Sequence, residues 1–518
     1  MRRIGIDVGG THTDAVLLDG DDIVQTTKAL TTADVLTGVT HALDAVLSAQ
    51  TADSPPIEAV MLGTTQFTNA VVERRELAEV AAVRIGLPSG RGLPPKIGWP
   101  VDIAEALGDC VSNLHGGYLF DGHPIAPMDT AEMQRAIDEI KRRRLRCVAV
   151  TSAFAPMNAE PERAFGAMLA EALPEVHLTL SHRMGRLGLL ERENAALLNA
   201  SLLPFAERVV AAFETAIGER GLDGRFYISQ NDGTLMDVAF ARRFPALTFA
   251  SGPTNSLRGA CRLTGLDNAI VIDIGGTTSD IGVLRDGFPR ESNVVIEVGG
   301  VRTNFRMPDI LAVGLGGGSE VSADGHQVGP RSVGHRLVQE ARVFGGATLT
   351  ATDILVADGA ASIGDRERVA GVPAQVRANA RARMAALLDE GIERMKPDRS
   401  PLPVVLVGGG ALLVPGPLPA ASEVLRPAHA EVANAIGAAI AQIGGEAERL
   451  VSYDDTPREQ ALADLTGEAR RRALAAGAAE NSLRVADIEE TPLSYSAGAA
   501  AQLRVKVVGD LSPSGFAR

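Results

Sequence analysis

One pattern occurs twice in this chain, and no other feature restricts the fold as much. IGIDVGGTHTDAVLL, from Ile4 to Leu18, and IVIDIGGTTSDIGVL, from Ile270 to Leu284, share an apolar run, then Asp-X-Gly-Gly-Thr-X-X-Asp, then a second apolar run. Each copy reads as strand, glycine turn, strand. A repeat with so long a period points to a duplicated domain, since solenoid repeats are far shorter. A single hairpin of this kind is an ordinary turn. Two copies that agree at both aspartates, both glycines and the first threonine argue instead for a shared ligand.

The chemistry of the turns suggests which ligand. Gly9, Gly10, Gly275 and Gly276 carry no side chain, so consecutive backbone N–H groups can converge on one anion. Thr11, Thr13, Thr277 and Thr278 add hydroxyl donors. Asp7 and Asp273 each close an apolar strand, where a carboxylate could hold Mg²⁺ mainly through its waters, because that ion dehydrates reluctantly. Two such hairpins facing each other would clasp a polyphosphate from both sides. A later strand runs into Gly408, Gly409 and Gly410, where the backbone could pass beside a base and ribose. The rival nucleotide motifs fit worse: the chain has no Gly-Lys-Ser/Thr phosphate loop, and GLGGGS lacks the strand–glycine–helix setting and acidic ribose ligand of a dinucleotide fold.

Composition narrows the partners. A net charge of −14 over 518 residues supplies no positive field for nucleic acid or anionic lipid, and aromatic residues at 4% give little base-stacking surface. Hydrophobic residues at 45% are ample for large cores, and the sequence shows no obvious membrane span. The three cysteines, Cys110, Cys147 and Cys261, have no metal-clamp spacing, which suits a reducing compartment. MRRIGIDVGG turns to Gly and Asp before any secretory apolar stretch could form, so a cytoplasmic location is expected.

Longer motifs carry a family resemblance. LGTTQFTNAV at 62–71, SHRMGRLGLLERENAALLNA at 181–200, SQNDGTLM at 229–236, ASGPTNSLRGA at 250–260, VGLGGGSE at 313–320, LVGGGA at 406–411 and ANAIGAA at 433–439 stand in order around the two hairpins. Together they resemble the hydantoinase/oxoprolinase family, hydantoinase A type, within the acetate kinase, sugar kinase, Hsp70 and actin superfamily. The resemblance implies an α/β fold of duplicated ribonuclease H-like (actin-like ATPase) domains around a nucleotide cleft. It implies an N-terminal domain at 1–185 with the first phosphate loop, a domain at 186–450 with the second phosphate loop and the adenosine loop, and a helical and strand extension at 451–518.

Family members couple ATP cleavage to the opening of cyclic amides such as hydantoins, 5-oxoproline or lactams, and related proteins are subunits of ketone carboxylases. By that analogy the cofactors are ATP and Mg²⁺. Asp7, Gly9, Gly10, Thr11 and Thr13 form the first phosphate loop, and Asp273, Gly275, Gly276, Thr277 and Thr278 the second. Gly408 to Gly410 form the adenosine loop. Asp273, Asp7 and Thr277 are the expected catalytic residues, and Asp7 and Asp273 the metal ligands. Asp14 and Asp280 read equally well as hairpin caps, and Ser251-Gly252-Pro253 as a helix start or an anion site.

Candidate substrate residues are Thr64, Thr65 and Asn69, with Thr68 beside them, and Gln230, Asn231 and Asp232, although Asn-Asp-Gly is also a common turn. The cluster Glu191, Arg192, Glu193 and Asn194 reads more simply as a solvated or salt-bridged helix face. His115, Asp121 and His123 offer an oxygen and nitrogen metal set, though scattered loop histidines are more often ordinary polar residues. After VGP at 328–330 the chain departs from the family's usual small-residue and proline run, in a segment expected to border the substrate pocket. The favoured activity is ATP-dependent ring opening of a cyclic amide, in an oligomer with room for a second protein subunit. Small-molecule kinase, ketone carboxylase-type subunit and nucleotide-switched regulatory ATPase are the alternatives.

Overall fold

The computed structural model describes residues 1–9, 12–30, 35–51, 53–222, 225–292, 294–414, 416–492 and 500–512. Both repeats fold as antiparallel hairpins. In the first, Arg2–Val8 pairs with His12–Asp19, and in the second, Ala269–Ile274 pairs with Ser279–Arg285. Each hairpin seeds its own sheet by adding a parallel strand on the free side of its first strand: Ala59–Thr64 in one half, Leu402–Val407 in the other. These central strands read as nearly unbroken apolar runs because both of their faces are covered. All six residues of Ala59–Thr64 are buried, as are the last four of Leu402–Val407.

The first sheet grows to nine strands in the order 484–492, 500–509, 442–452, 234–237, 225–229, 59–64, 2–8, 12–19 and 22–30. It therefore draws on three separated parts of the chain. Residues 451–518, expected as an extension, supply its outer two strands, and the 18-residue helix Arg458–Ala475 packs behind them. The second sheet orders 288–289, 279–285, 269–274, 402–407 and 421–425, with 310–313 also pairing to 279–285. Between the fourth strand and Arg225 the chain inserts a four-stranded parallel sheet, ordered 111–115, 80–87, 147–152 and 177–180.

The 30-residue helix Leu189–Gly218 is long and apolar enough by length and composition to cross a membrane, but in the fold it is a core helix. Its first turns bear out the salt-bridged alternative for 191–194 and not the solvated one. Arg192, Glu193 and Asn194 are all buried. Glu193 pairs with Arg84 from the inserted sheet, each with a side chain 2% exposed. The Arg192 guanidinium donates to the Ser181 hydroxyl and to the carbonyls of Leu187 and Ser152, and Asn194 accepts from the Trp99 indole at 2.9 Å. Buried charges survive only when paired or hydrogen-bonded in this way.

The two halves meet through helices Ser251–Thr264 and Ala433–Ala439, which cross with backbone in contact. A β-carbon on Gly259 would sit 1.8 Å from the Ala433 carbonyl oxygen, and one on Gly437 would sit 1.8 Å from that of Asn255. The shorter helix also presses on the first strand, where a β-carbon on Gly5 would meet the Ala435 oxygen at 2.2 Å. No rotamer change relieves overlap with backbone, so Gly259→Ala and Gly437→Ala should each destabilise by at least about 3 kcal/mol. Gly371→Ala, at a site with open space and ordinary φ, should be nearly neutral. Thermal unfolding of the three variants checks this, and a wild-type midpoint for Gly259→Ala would contradict the close crossing.

Candidate functional site

The repeat places equivalent groups at equivalent points. Asp7 lies opposite Asp14 across its hairpin and opposite Gly63 on the parallel strand. Asp273 lies opposite Asp280, with Gly408 just past the end of its parallel strand. In both halves the glycine gives the carboxylate its space: a β-carbon on Gly63 would sit 2.2 Å from Asp7 Oδ1, and one on Gly408 would sit 2.2 Å from Asp273 Oδ1. Gly408 also has φ +82, the left-handed region that glycine occupies at no steric cost. Both turns close through the same hydrogen bond, Gly9 N–H to the His12 carbonyl at 3.0 Å and Gly275 N–H to that of Thr278 at 2.9 Å. Gly10 and Thr11 lie outside the described residues; Thr13 is fully buried, and Thr277 and Thr278 are exposed.

Both crossing helices deliver an amide to Asp7. Asn255 donates from Nδ2 to Asp7 Oδ1 at 3.3 Å, and Asn434 Nδ2 bridges Asp7 Oδ2 at 3.0 Å and Asp14 Oδ2 at 2.9 Å. Lys28 Nζ meets both Asp14 oxygens at 2.8 Å and donates to the Glu431 carbonyl at 3.1 Å. It also reaches the other half, since a β-carbon on Gly409 would lie 3.6 Å from Lys28 Cε. Ser256 donates its hydroxyl to Asp273. None of these partners was singled out from the sequence, although Asn255 and Asn434 sit inside recognised motifs. An amide in the first turn of a helix rich in small residues was the available signal.

Lys28 links the two hairpins, paired with Asp14 of the first and beside Gly409 at the edge of the second. The Asp7 carboxyl is pushed up to about 6, first by burial, with Asp14 and Asp273 adding to the rise and its two amide partners opposing it. Burial also raises Asp273, with Asp14 adding to it and Ser256 and Lys28 opposing. Asp280 is pushed up to about 7 by burial and by Asp273. Asp7, Asp273 and Asp280, each held above the ordinary carboxylate range chiefly by burial, form a site that a cation would stabilise. Asn255 Oδ1 is buried with no hydrogen-bond partner among the described residues, a further oxygen beside Asp7.

A third glycine turn backs the second hairpin. Gly317 and Gly318 donate backbone N–H groups to the carbonyls of Gly275 and Gly276 at 3.0 and 2.7 Å. Gly316 comes so close that a β-carbon would lie 2.5 Å from the Thr277 nitrogen. The divergent segment after Val328 folds over this turn, where Gly334 approaches Thr277 and Thr352 donates to the Gly317 carbonyl at 2.8 Å.

The other candidates separate. Thr64 and Thr65 lie at the strand end beside Asp7: Thr65 donates its hydroxyl to the Val8 carbonyl, and Thr64 pairs through its backbone with Ser251, the start of the crossing helix. Asn69 lies on the short helix that follows, Gln66–Val72, and Thr68 is tied to the Phe249 carbonyl. Gln230, Asn231 and Asp232 instead line a cavity of about 990 Å³ farther along the same sheet edge. All three are engaged there, Gln230 with Thr234, Asn231 with Ala246 and Ala250, and Asp232 with Lys506 at 2.8 Å. The supposed metal set does not assemble: His115 pairs with Glu132 at 2.9 Å, and His123 with Asp121 at 3.2 Å. Among the described residues no three His, Cys, Asp or Glu side chains converge as a ready-made metal cage.

Comparison with known proteins agrees with this arrangement. Residues 3–173 match the family model of the hydantoinase/oxoprolinase N-terminal region, and residues 192–361 match that of hydantoinase/oxoprolinase. The caprolactamase alpha subunit of Pseudomonas jessenii is 27% identical over 387 residues, covering 69% of this chain and 54% of that protein. The acetophenone carboxylase gamma subunit of Aromatoleum aromaticum is 26% identical over 397 residues, covering 68% and 52%. The chain thus spans about half the length of the curated relatives it matches. Among solved structures, the ATP-dependent caprolactamase of Pseudomonas jessenii gives a TM-score of 0.78 at 20% identity, covering 99% of this chain and 88% of that one. Nucleotide-free acetone carboxylase gives 0.67 at 17% identity with the same coverage. The fold is the mixed α/β one shared with these two structures.

The raised Asp280 carboxyl has a consequence for stability. An acid whose folded value lies above its unfolded value costs nothing below about pH 4. Its cost grows as pH rises towards 7 and is constant above that. Asp280→Asn should therefore stabilise the protein, by up to about 4 kcal/mol at pH 8 and by progressively less towards pH 4. Denaturant titrations at pH 4.5, 6 and 8 measure this, and a gain independent of pH would remove the charge explanation.

Proposed function

Because the chain belongs to the hydantoinase/oxoprolinase family, we propose that it is an ATP-dependent enzyme that opens a cyclic amide by phosphoryl activation of the carbonyl oxygen. The observation that carries this reading is that the two Asp-Gly hairpins come together: Lys28, paired with Asp14 of the first, lies beside Gly409, next to the Gly408 that packs on Asp273 of the second. That is the arrangement a triphosphate with its cation would need. The oxygen donors of Asp7, Asp14, Asp273 and Asp280 suit Mg²⁺, and without a closed protein cage that ion would be held through waters and phosphate oxygens. Bound there, Mg²⁺ supplies neutralisation of the charge on the transferring phosphoryl group.

This chain's own residues do the rest by positioning. The backbone N–H groups of Gly276 and Thr277 and the exposed hydroxyls of Thr277 and Thr278 hold the phosphates from one side, the first hairpin does so from the other, and Gly408 to Gly410 leave the adenosine a path without side chains. Asp273, with its position fixed by Ser256 and Gly408, orients the reacting groups. The terminal phosphoryl group passes to the amide oxygen and ADP leaves. A first water adds at the carbon and the ring C–N bond breaks, leaving an acyl phosphate. A second water releases phosphate and the carboxylate. The same activation applied to a ketone oxygen would serve a carboxylase, a reading favoured by the nearly equal identity to the acetophenone carboxylase subunit. Both curated relatives are named as subunits, which supports a second protein partner for this chain.

The test is to incubate the protein with ATP, Mg²⁺ and panels of hydantoins, lactams, ketones and sugars, following phosphate and product mass together. Ring-opened product with free phosphate is expected. A stable phosphate ester would indicate a kinase, and turnover indifferent to every compound a regulatory ATPase. Asp273→Asn, which can still accept from Ser256, should lower ATP turnover by at least about 100-fold with a melting temperature no lower than that of the wild type. Wild-type turnover in that variant would remove Asp273 from the reaction.

A further inference from the structure

The cavity of about 990 Å³ includes no residue of either hairpin and lies between the inserted sheet and strand 442–452. Most charges on its walls are already matched. Lys506 holds Asp232 at 2.8 Å, Arg306 holds Glu446 at 3.0 Å and also Glu448, Arg449 and Arg472 share Glu468, and Arg186 reaches Glu291 and Glu489. Asp237 caps a helix by accepting from the Phe240 N–H. After these pairs, two cations are left over. Arg163 and Arg183 line the cavity with no carboxylate partner among the described residues. Arg183 is held with its guanidinium 5.0 Å from the centroid of the Phe244 ring. Burial and the neighbouring Arg243, Arg163 and Arg472 all disfavour its charge, so an anion there would relieve a repulsion already present.

Beside them His182 is poised by a fully buried carboxylate. Glu162 contacts His182 Nδ1 at 2.6 Å and accepts from the Ser152 and His182 N–H groups at 2.9 and 3.0 Å and from the Ser181 hydroxyl. With Nδ1 committed, Nε2 is the ring nitrogen left for the cavity, whose wall His182 forms. Met184, Phe240 and Leu247 contribute apolar surface to the same walls. A planar guanidinium fork matches a carboxylate in two-point contact, and the apolar lining suits a carbon skeleton better than a bare inorganic ion.

We propose that this cavity binds a small organic carboxylate, its acid group held by Arg163 and Arg183 beside His182 and its body against Met184, Phe240 and Leu247. The site is independent of the nucleotide reading of the hairpins. Isothermal titration of the full chain with hexanoate, glutarate and inorganic phosphate, with and without ATP and MgCl₂, tests it. At least one of the two carboxylates should bind, more tightly than phosphate and undisplaced by ATP. Arg183→Ala and Arg163→Ala, both at exposed side chains, should each weaken that binding at least about tenfold with an unchanged melting temperature. Arg183→Lys should retain part of it. No binding by either carboxylate, binding that survives both alanine substitutions, equal affinity for phosphate, or displacement by ATP would each overturn the assignment.

Discussion

Direct backbone contact between two helices sets the geometry on which everything else in this molecule rests. Helices Ser251–Thr264 and Ala433–Ala439 cross with only glycine hydrogens between them at Gly259 and Gly437. Side chains of ordinary size would hold them farther apart, and Asn255 and Asn434 would then no longer reach the same aspartate. The crossing therefore both joins the halves and assembles the polar centre. Its stability comes from close packing of small residues, which leaves little room for adjustment.

That centre is costly on its own terms. Buried carboxylates that raise one another's pKa reduce the stability of the folded chain at neutral pH, and amide, hydroxyl and lysine partners offset part of the cost. Arrangements that weaken a fold in this way are found where a ligand makes up the difference. The arginine-rich cavity on the same sheet edge has the opposite sign. The chain thus carries two separated polar centres of contrary charge, each incomplete in its own way.

Much of this was legible in the sequence, for identifiable reasons. The hairpins, the parallel strands behind them and the long helix at 189–218 announce themselves through local patterns of apolar residues and glycine. The equivalence of Asp7 and Asp273 follows from the repeat alone. What could not be read were partners far apart in the chain. Asn434 meets Asp7, and Lys28 reaches towards Gly409, only after both halves have folded. Gly63 looked like part of a substrate motif, yet its visible role is to make space for a carboxylate. For Glu193 and Arg192 the sequence left solvated and salt-bridged faces both open, because the partners that decide it lie in a sheet inserted earlier in the chain. Gln230 to Asp232 line a cavity away from Asp7, because strand 59–64 stands between the strand they follow and the strand that carries it.

The position of Lys28 bears on how readily the molecule can breathe. Its charge is balanced by Asp14, on the adjacent strand of the same hairpin, so the ion pair would travel intact if the lobes moved apart. What spans to the facing segment is a neutral acceptor, the Glu431 carbonyl. Asn434, three residues on, adds neutral contacts of the same kind to Asp7 and Asp14, so the segment is fastened to the first hairpin by hydrogen bonds of about 1–3 kcal/mol each and, among the described residues, by no ion pair of its own.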